Sequence, residues 1–108
     1  MKYLISFYVP VDFCEQVKKA MFAAGAGKIG LYDSCCWQTL GQGQFRPLSG
    51  SQPAVGSQYA INYIEEYKVE LICQKDCLQA VINALLDSHP YEEVAYHVIE
   101  HVDIDSIN

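Results

Sequence analysis

Three histidines, five cysteines and thirteen acidic residues are the side chains here that could move a proton, attack a carbonyl or hold a metal ion. Their densest grouping is SHPYEEVAYHV, residues 88–98. His89 precedes Pro90, and Tyr91, Glu92 and Glu93 follow at once. An imidazole, a phenol and adjacent carboxylates are costly to bury, and at a cleft they can fix a polar ligand. The same residues also admit a purely architectural reading. Proline pushes the residue before it out of the helical region, so His89-Pro90 stops a helix. Tyr91 then becomes amphipathic filler and Glu92-Glu93 a solvated turn.

A second grouping is GAGKIGLYDSCCW, residues 25–37. Gly25, Gly27 and Gly30 have the G-x-G-x-x-G spacing, but they follow a helical pattern and precede a strand. Dinucleotide binding requires the reverse order, so that phosphates meet a helix N-terminus. The glycines are therefore expected to end a helix and permit a tight turn, and a backbone nest for a small anion is the alternative. His97 and His101 would align on a helix, whereas on a strand they share a face and lie apart. Histidine, carboxylate and thiol ligands suit zinc or copper, yet nothing here has closed-site spacing, and no metal ligand is assigned. No serine triad, P-loop or paired-carboxylate hydrolase pattern is present, and no catalytic residue is assigned. Five cysteines without a C-x-x-C pair point to reduced, mostly buried thiols. Cys35 and Cys36 cannot face the same way in a strand, so at least one is expected in the core.

The elements that position these groups are legible in the patterning. KYLISFYVP alternates as a strand and Pro10 ends it. Asp12 with Glu15 three residues on is a capping pattern for a helix whose stripe is Phe13, Cys14, Val17, Ala20, Met21 and Ala24. Gly25 stops it. A strand near Ser34–Leu40 precedes a glycine-rich excursion at about 41–60, longer than unstructured loops usually run. A strand over Ile61–Cys73 follows, with Glu66, Lys68 and Glu70 alternating against Tyr67, Val69 and Leu71. Asp76 caps a second helix striped by Leu78, Val81, Ile82 and Leu85. Val94, Tyr96 and Val98 begin a last strand running towards Val102. The order is βαββαβ: an α+β, ferredoxin-like domain over residues 1–108, with two helices on one face of a four-stranded antiparallel sheet.

Composition bounds the function. The chain has 108 residues, half of them hydrophobic, and a net charge of −6. That charge disfavours nucleic acid, whose binding requires a basic footprint. No segment has the ~20 apolar residues of a membrane span, and no secretory signal is read at the N-terminus, so a cytoplasmic location is expected. Leu4, Tyr8 and Ile72 fall on the sheet face that the helices leave bare. Monomers rarely expose such a surface, and a homo-oligomer is expected.

GAGKIGLYDSCCWQTLGQGQFRPLSGSQPAVGS followed by SHPYEEVAYHV resembles the small domain inserted in many bacterial members of the NGG-interacting-factor-three family, also known by the YqfO name. That domain occurs as a short stand-alone protein too. The resemblance covers about residues 3–100. It implies a domain similar to PII signalling proteins and the divalent-cation-tolerance protein CutA, which form trimers, and CutA carries a comparable His-Pro-Tyr-Glu stretch. The family's dinuclear metal site belongs to flanking domains without counterpart here, so its hydrolase labels are not carried over. Val94 stands where the family often has proline. By position the resemblance marks Gly25, Gly27, Gly30, Tyr32, Cys35, Trp37, Gly41, Gly43, Phe45, Pro47, His89, Pro90, Tyr91 and Glu92. The resulting expectation is a non-enzymatic, trimeric PII/CutA-like binding or regulatory module without cofactor. A small ligand or protein partner would sit in inter-subunit clefts lined by His89, Tyr91, Glu92, Glu93, Gly27, Tyr32, Cys35, Trp37, Gly43 and Phe45. The alternative is a divalent copper or zinc binding protein of CutA type.

Overall fold

A computed structural model describes residues 1–54, 56–102 and 104. Strand β1 (Lys2–Pro10) leads into helix α1 (Cys14–Ala23); β2 (Trp37–Phe45) and β3 (Asn62–Gln74) form a long hairpin; α2 (Leu78–Ser88) leads into β4 (Tyr96–His101). The sheet is antiparallel throughout, in the order β2-β3-β1-β4. This is the expected βαββαβ arrangement.

Alternation on the central strands builds the core. Ile5, Phe7 and Val9 of β1 and Val69, Leu71 and Cys73 of β3 are buried against Cys14, Val17 and Met21 of α1 and Val81 and Leu85 of α2. Each large apolar side chain so covered contributes roughly 1.5–3 kcal/mol. Gly25 ends α1 at φ +118°. Its N–H reaches the Phe22 carbonyl at 3.0 Å and that of Ala26 reaches Met21 at 3.1 Å, a Schellman closure in which glycine takes the left-handed position.

The helix starts differ from the capping pattern. A 3₁₀ turn precedes each helix, Val11–Phe13 and Lys75–Cys77, so Asp12 and Asp76 lie inside helical turns. No side-chain cap bond forms at either start among the described residues. The carboxylates still sit where the helix dipole favours negative charge.

Strand β2 also differs: it starts at Trp37 and runs to Phe45, carrying Gly41 and Gly43 within it. Glycine weakens an isolated strand, but here each residue from Trp37 to Phe45 is opposed by one of β3. Cys35 and Cys36 lie before the strand, and neither is in the core; of the five free thiols, Cys14 and Cys73 are buried. Val94 precedes β4 and packs on the core without joining the ladder.

Two features of the sheet bear on function. Its uncovered face carries a row in register, Ile99–Leu4–Ile72. And β1 ends opposite Glu66, so residues 62–65 of β3 pair only with β2 and the hairpin projects beyond the body. The protein is accordingly elongated, 51 × 28 × 24 Å.

Candidate functional site

The projecting hairpin, the chain after β2 and the His89–Glu93 segment enclose a groove of about 930 Å³ on the uncovered sheet face. Its floor comes from the outward register of β1, β3 and β2: Tyr8, then Glu66, Lys68 and Glu70, then Thr39, Gly41 and Gly43. Phe45, Pro47, Leu48 and Pro53 supply one wall, and Tyr91, Glu92 and Glu93 the other. The second of the two alternating glycines has a packing reason. A Cβ at Gly43 would fall on the Glu66 carboxylate, so the missing side chain is what lets that carboxylate lie across β2.

The His89–Glu93 segment is tied down at three places. His89 is 7% exposed, and both of its ring nitrogens are engaged. Nδ1 accepts the Tyr91 N–H at 3.1 Å, which places the ring proton on Nε2, and Nε2 then donates to the Tyr8 carbonyl at 2.7 Å. Tyr91 donates its hydroxyl to Glu66 Oε2 at 2.9 Å and sets its ring 6.4 Å from Phe45. Glu92 Oε1 accepts the Gln52 N–H at 2.7 Å. One short peptide thereby holds β1, β3 and the loop after β2 together.

Burial sets the protonation of these groups. It lowers the His89 imidazole below its ordinary value, against the opposing pulls of the Tyr8 carbonyl and the Glu66 charge. Burial, with Glu66 as hydrogen-bond acceptor and nearby charge, pushes the Tyr91 phenol well above its usual range. Both groups are therefore neutral near pH 7, and Tyr91 keeps the proton that it donates to Glu66.

The expected site residues separate into three sets. Gly43, Phe45, Tyr91, Glu92 and Glu93 line the groove, with Gly41 and Pro47. His89 stands behind it as the anchor of its wall, with no ring nitrogen left to hold a ligand or metal ion. Gly27, Tyr32, Cys35 and Trp37 are not among the groove residues. Gly27 donates to the Ile72 carbonyl at 2.8 Å and accepts from Cys35 at 2.8 Å, Tyr32 closes a small turn with Ile29, and Trp37 is 69% exposed. Tyr8, Thr39, Arg46, Glu66, Lys68 and Glu70 were not foreseen as groove residues. For Tyr8, Glu66, Lys68 and Glu70 the signal is the period-two alternation on β1 and β3, which shows that they share the uncovered face but not what rises above it; Thr39 and Arg46 carry no such signal. Among the described residues no group of three or more His, Cys, Asp and Glu side chains is placed to hold a metal ion.

The fold is that of a ferredoxin-like domain of the PII/CutA-like type. The divalent cation tolerance protein CutA1 of Thermus thermophilus superposes with a TM-score of 0.67 at 12% identity, over 95% of this chain and 86% of that one. A Bacillus cereus protein related to NIF3 superposes with a TM-score of 0.78 at 37% identity, over 91% of this chain and 25% of that one. The GTP cyclohydrolase 1 type 2 homolog of Bacillus subtilis is 43% identical over 94 residues, 87% of this chain. No family model matches. By sequence and fold the chain corresponds to one segment of these NIF3-related, or YqfO-family, proteins. It spans about a quarter of the length of the curated relatives it matches.

Proposed function

We propose that this domain is a non-enzymatic binding or regulatory module of the cytoplasm, assembled as a homotrimer, that takes a small ligand or a partner segment in clefts between its copies. The groove carries the reading. It joins an apolar wall of Phe45, Pro47 and Leu48 to the charged floor of Glu66, Lys68 and Glu70, the combination of bulk burial and a few orienting polar groups that small-molecule sites use. It lies on the same sheet face as the Ile99–Leu4–Ile72 row. Covering that row gains about 25 cal/mol for each Å² removed from water, and a second copy laid there would roof the groove. The projecting hairpin supports the same reading, because a two-stranded ribbon is marginal alone and this one exposes Leu40, Ile61 and Tyr63.

Sedimentation equilibrium tests the assembly. The expected particle is three times the 12.1 kDa protomer, and Leu4→Glu should dissociate it; a wild-type monomer at micromolar concentration overturns the trimer. Thermal-shift screening with nucleotides and metabolites tests the groove, since a ligand at 100 times its Kd adds about 2.7 kcal/mol. A true groove ligand loses its shift in Lys68→Ala. A ligand that stabilises both proteins equally binds elsewhere.

A further inference from the structure

The segment that forms one wall of the groove is fastened through the ring of a single buried histidine. His89 Nδ1 accepts the Tyr91 N–H and its Nε2–H serves the Tyr8 carbonyl. This arrangement works for one tautomer of the neutral ring. A proton added at Nδ1 turns that nitrogen into a donor facing another donor, and the Tyr91 amide loses its partner while the Nε2–H bond to Tyr8 survives. Tyr91 and Glu92 hang from this point, and with Glu92 goes the tie to Gln52.

We propose that His89 is an acid-sensitive latch: when it takes a proton from solvent, the Tyr91–Glu92 wall comes away from the sheet and the groove opens. The surroundings of the ring agree. From β3, Glu66 faces it; from its own segment, the Tyr91 ring lies 4.8 Å away; from β1 it meets the Tyr8 carbonyl. Helix α1 contributes the neutral Gln16, which donates to the Ser88 carbonyl at 2.9 Å. Asp12 and Glu65 line a smaller hollow beside Pro90 and Tyr91, while Asp87, Glu92 and Glu93 are exposed. Glu66 favours the imidazolium and burial opposes it more strongly, so the folded ring is harder to protonate than a free one. The sign follows. The closed wall is fully stable above the ordinary histidine value of 6.5 and loses stability as pH falls below it, because opening exposes the ring and lets it take the proton. The latch is a property of the wall and holds whether or not the groove takes a ligand.

The experiment is an NMR titration of the intact chain from pH 7.5 to 5.0, following the His89 ring together with amide-exchange protection at Tyr91 and Gln52, corrected for intrinsic exchange. The expected result is a fall of at least tenfold in protection at both amides, with the midpoint of the ring titration. In His89→Gln, which carries no titrating group, protection should vary less than twofold over the same range. Constant protection at both amides in the wild type overturns the latch, as does a wild-type pH profile in the variant. Should His89→Gln fail to fold, the wild-type titration alone decides, since ring and amides either move together or do not.

Discussion

Gly43→Ala reads the floor of the groove directly. In a strand with ordinary backbone angles, replacing glycine by alanine restricts the unfolded chain and stabilises the fold by about 0.4–1 kcal/mol. Gly41 should show that full gain, since among the described residues nothing lies within 4 Å of where its Cβ would stand. At Gly43 the new Cβ falls on the Glu66 carboxylate. The carboxylate must swing aside, and its bond from the Tyr91 hydroxyl is lost. Hydrogen bonds to charged groups contribute about 1.5–3 kcal/mol, and solvent screening of this half-buried pair brings that to about 1 kcal/mol. Gly43→Ala should therefore be neutral or slightly destabilising, leaving it about 1 kcal/mol behind Gly41→Ala. Urea unfolding followed by circular dichroism at one fixed protomer concentration measures the gap. In a Glu66→Ala background there is no carboxylate to displace, and Gly43→Ala should regain the full benefit. If Gly43→Ala stabilises the wild type as much as Gly41→Ala does, Glu66 does not lie across β2 and the derivation of the floor fails.

Two further outcomes follow from the same geometry. Tyr91 should be the last of the eight tyrosines to ionise in an ultraviolet titration, and Tyr91→Phe should remove that late step; because the folded phenol is held above its ordinary value of 10.0, its stability contribution is intact below pH 10 and is lost as pH rises beyond it. Gly27→Ala should cost about 2 kcal/mol or more without altering ligand shifts in the groove. Its φ is +77°, and a Cβ there would stand 2.7 Å from the Phe22 ring and 2.8 Å from the Cys35 carbonyl.

The architecture was legible because it rests on periodicity. Val17 and Met21, or Ile5 and Phe7, recur at spacings that only a helix or a strand can use, and the structure buries all four. Asp12 and Asp76 misled because a cap depends on the backbone angles just before the helix, and the inserted 3₁₀ turns change those without changing the apolar stripe. Gly41 and Gly43 read as loop because intrinsic propensity says so; the register with β3 and the room needed by Glu66 decide otherwise. The groove was half legible. HPYEE announced itself by residue type and the family resemblance marked Gly43 and Phe45, whereas Tyr8, Glu66 and Lys68 look like ordinary outward strand positions until the Tyr91 segment is seen folding over them. His89 shows the limit from the other side: its type suggests chemistry, and its two backbone partners make it a fastening.

The strand order has a consequence for how the chain comes off the ribosome. β1 emerges first yet occupies an inner position, flanked by β3 on one side and β4 on the other. Its partners run to Gln74 and His101, so its ladder stays unfilled until those residues have been made, and such distant pairings are slow to close. Until the last strand arrives, a nascent chain bears an open, apolar ribbon that a chaperone, or a neighbouring nascent copy on the same message, can engage.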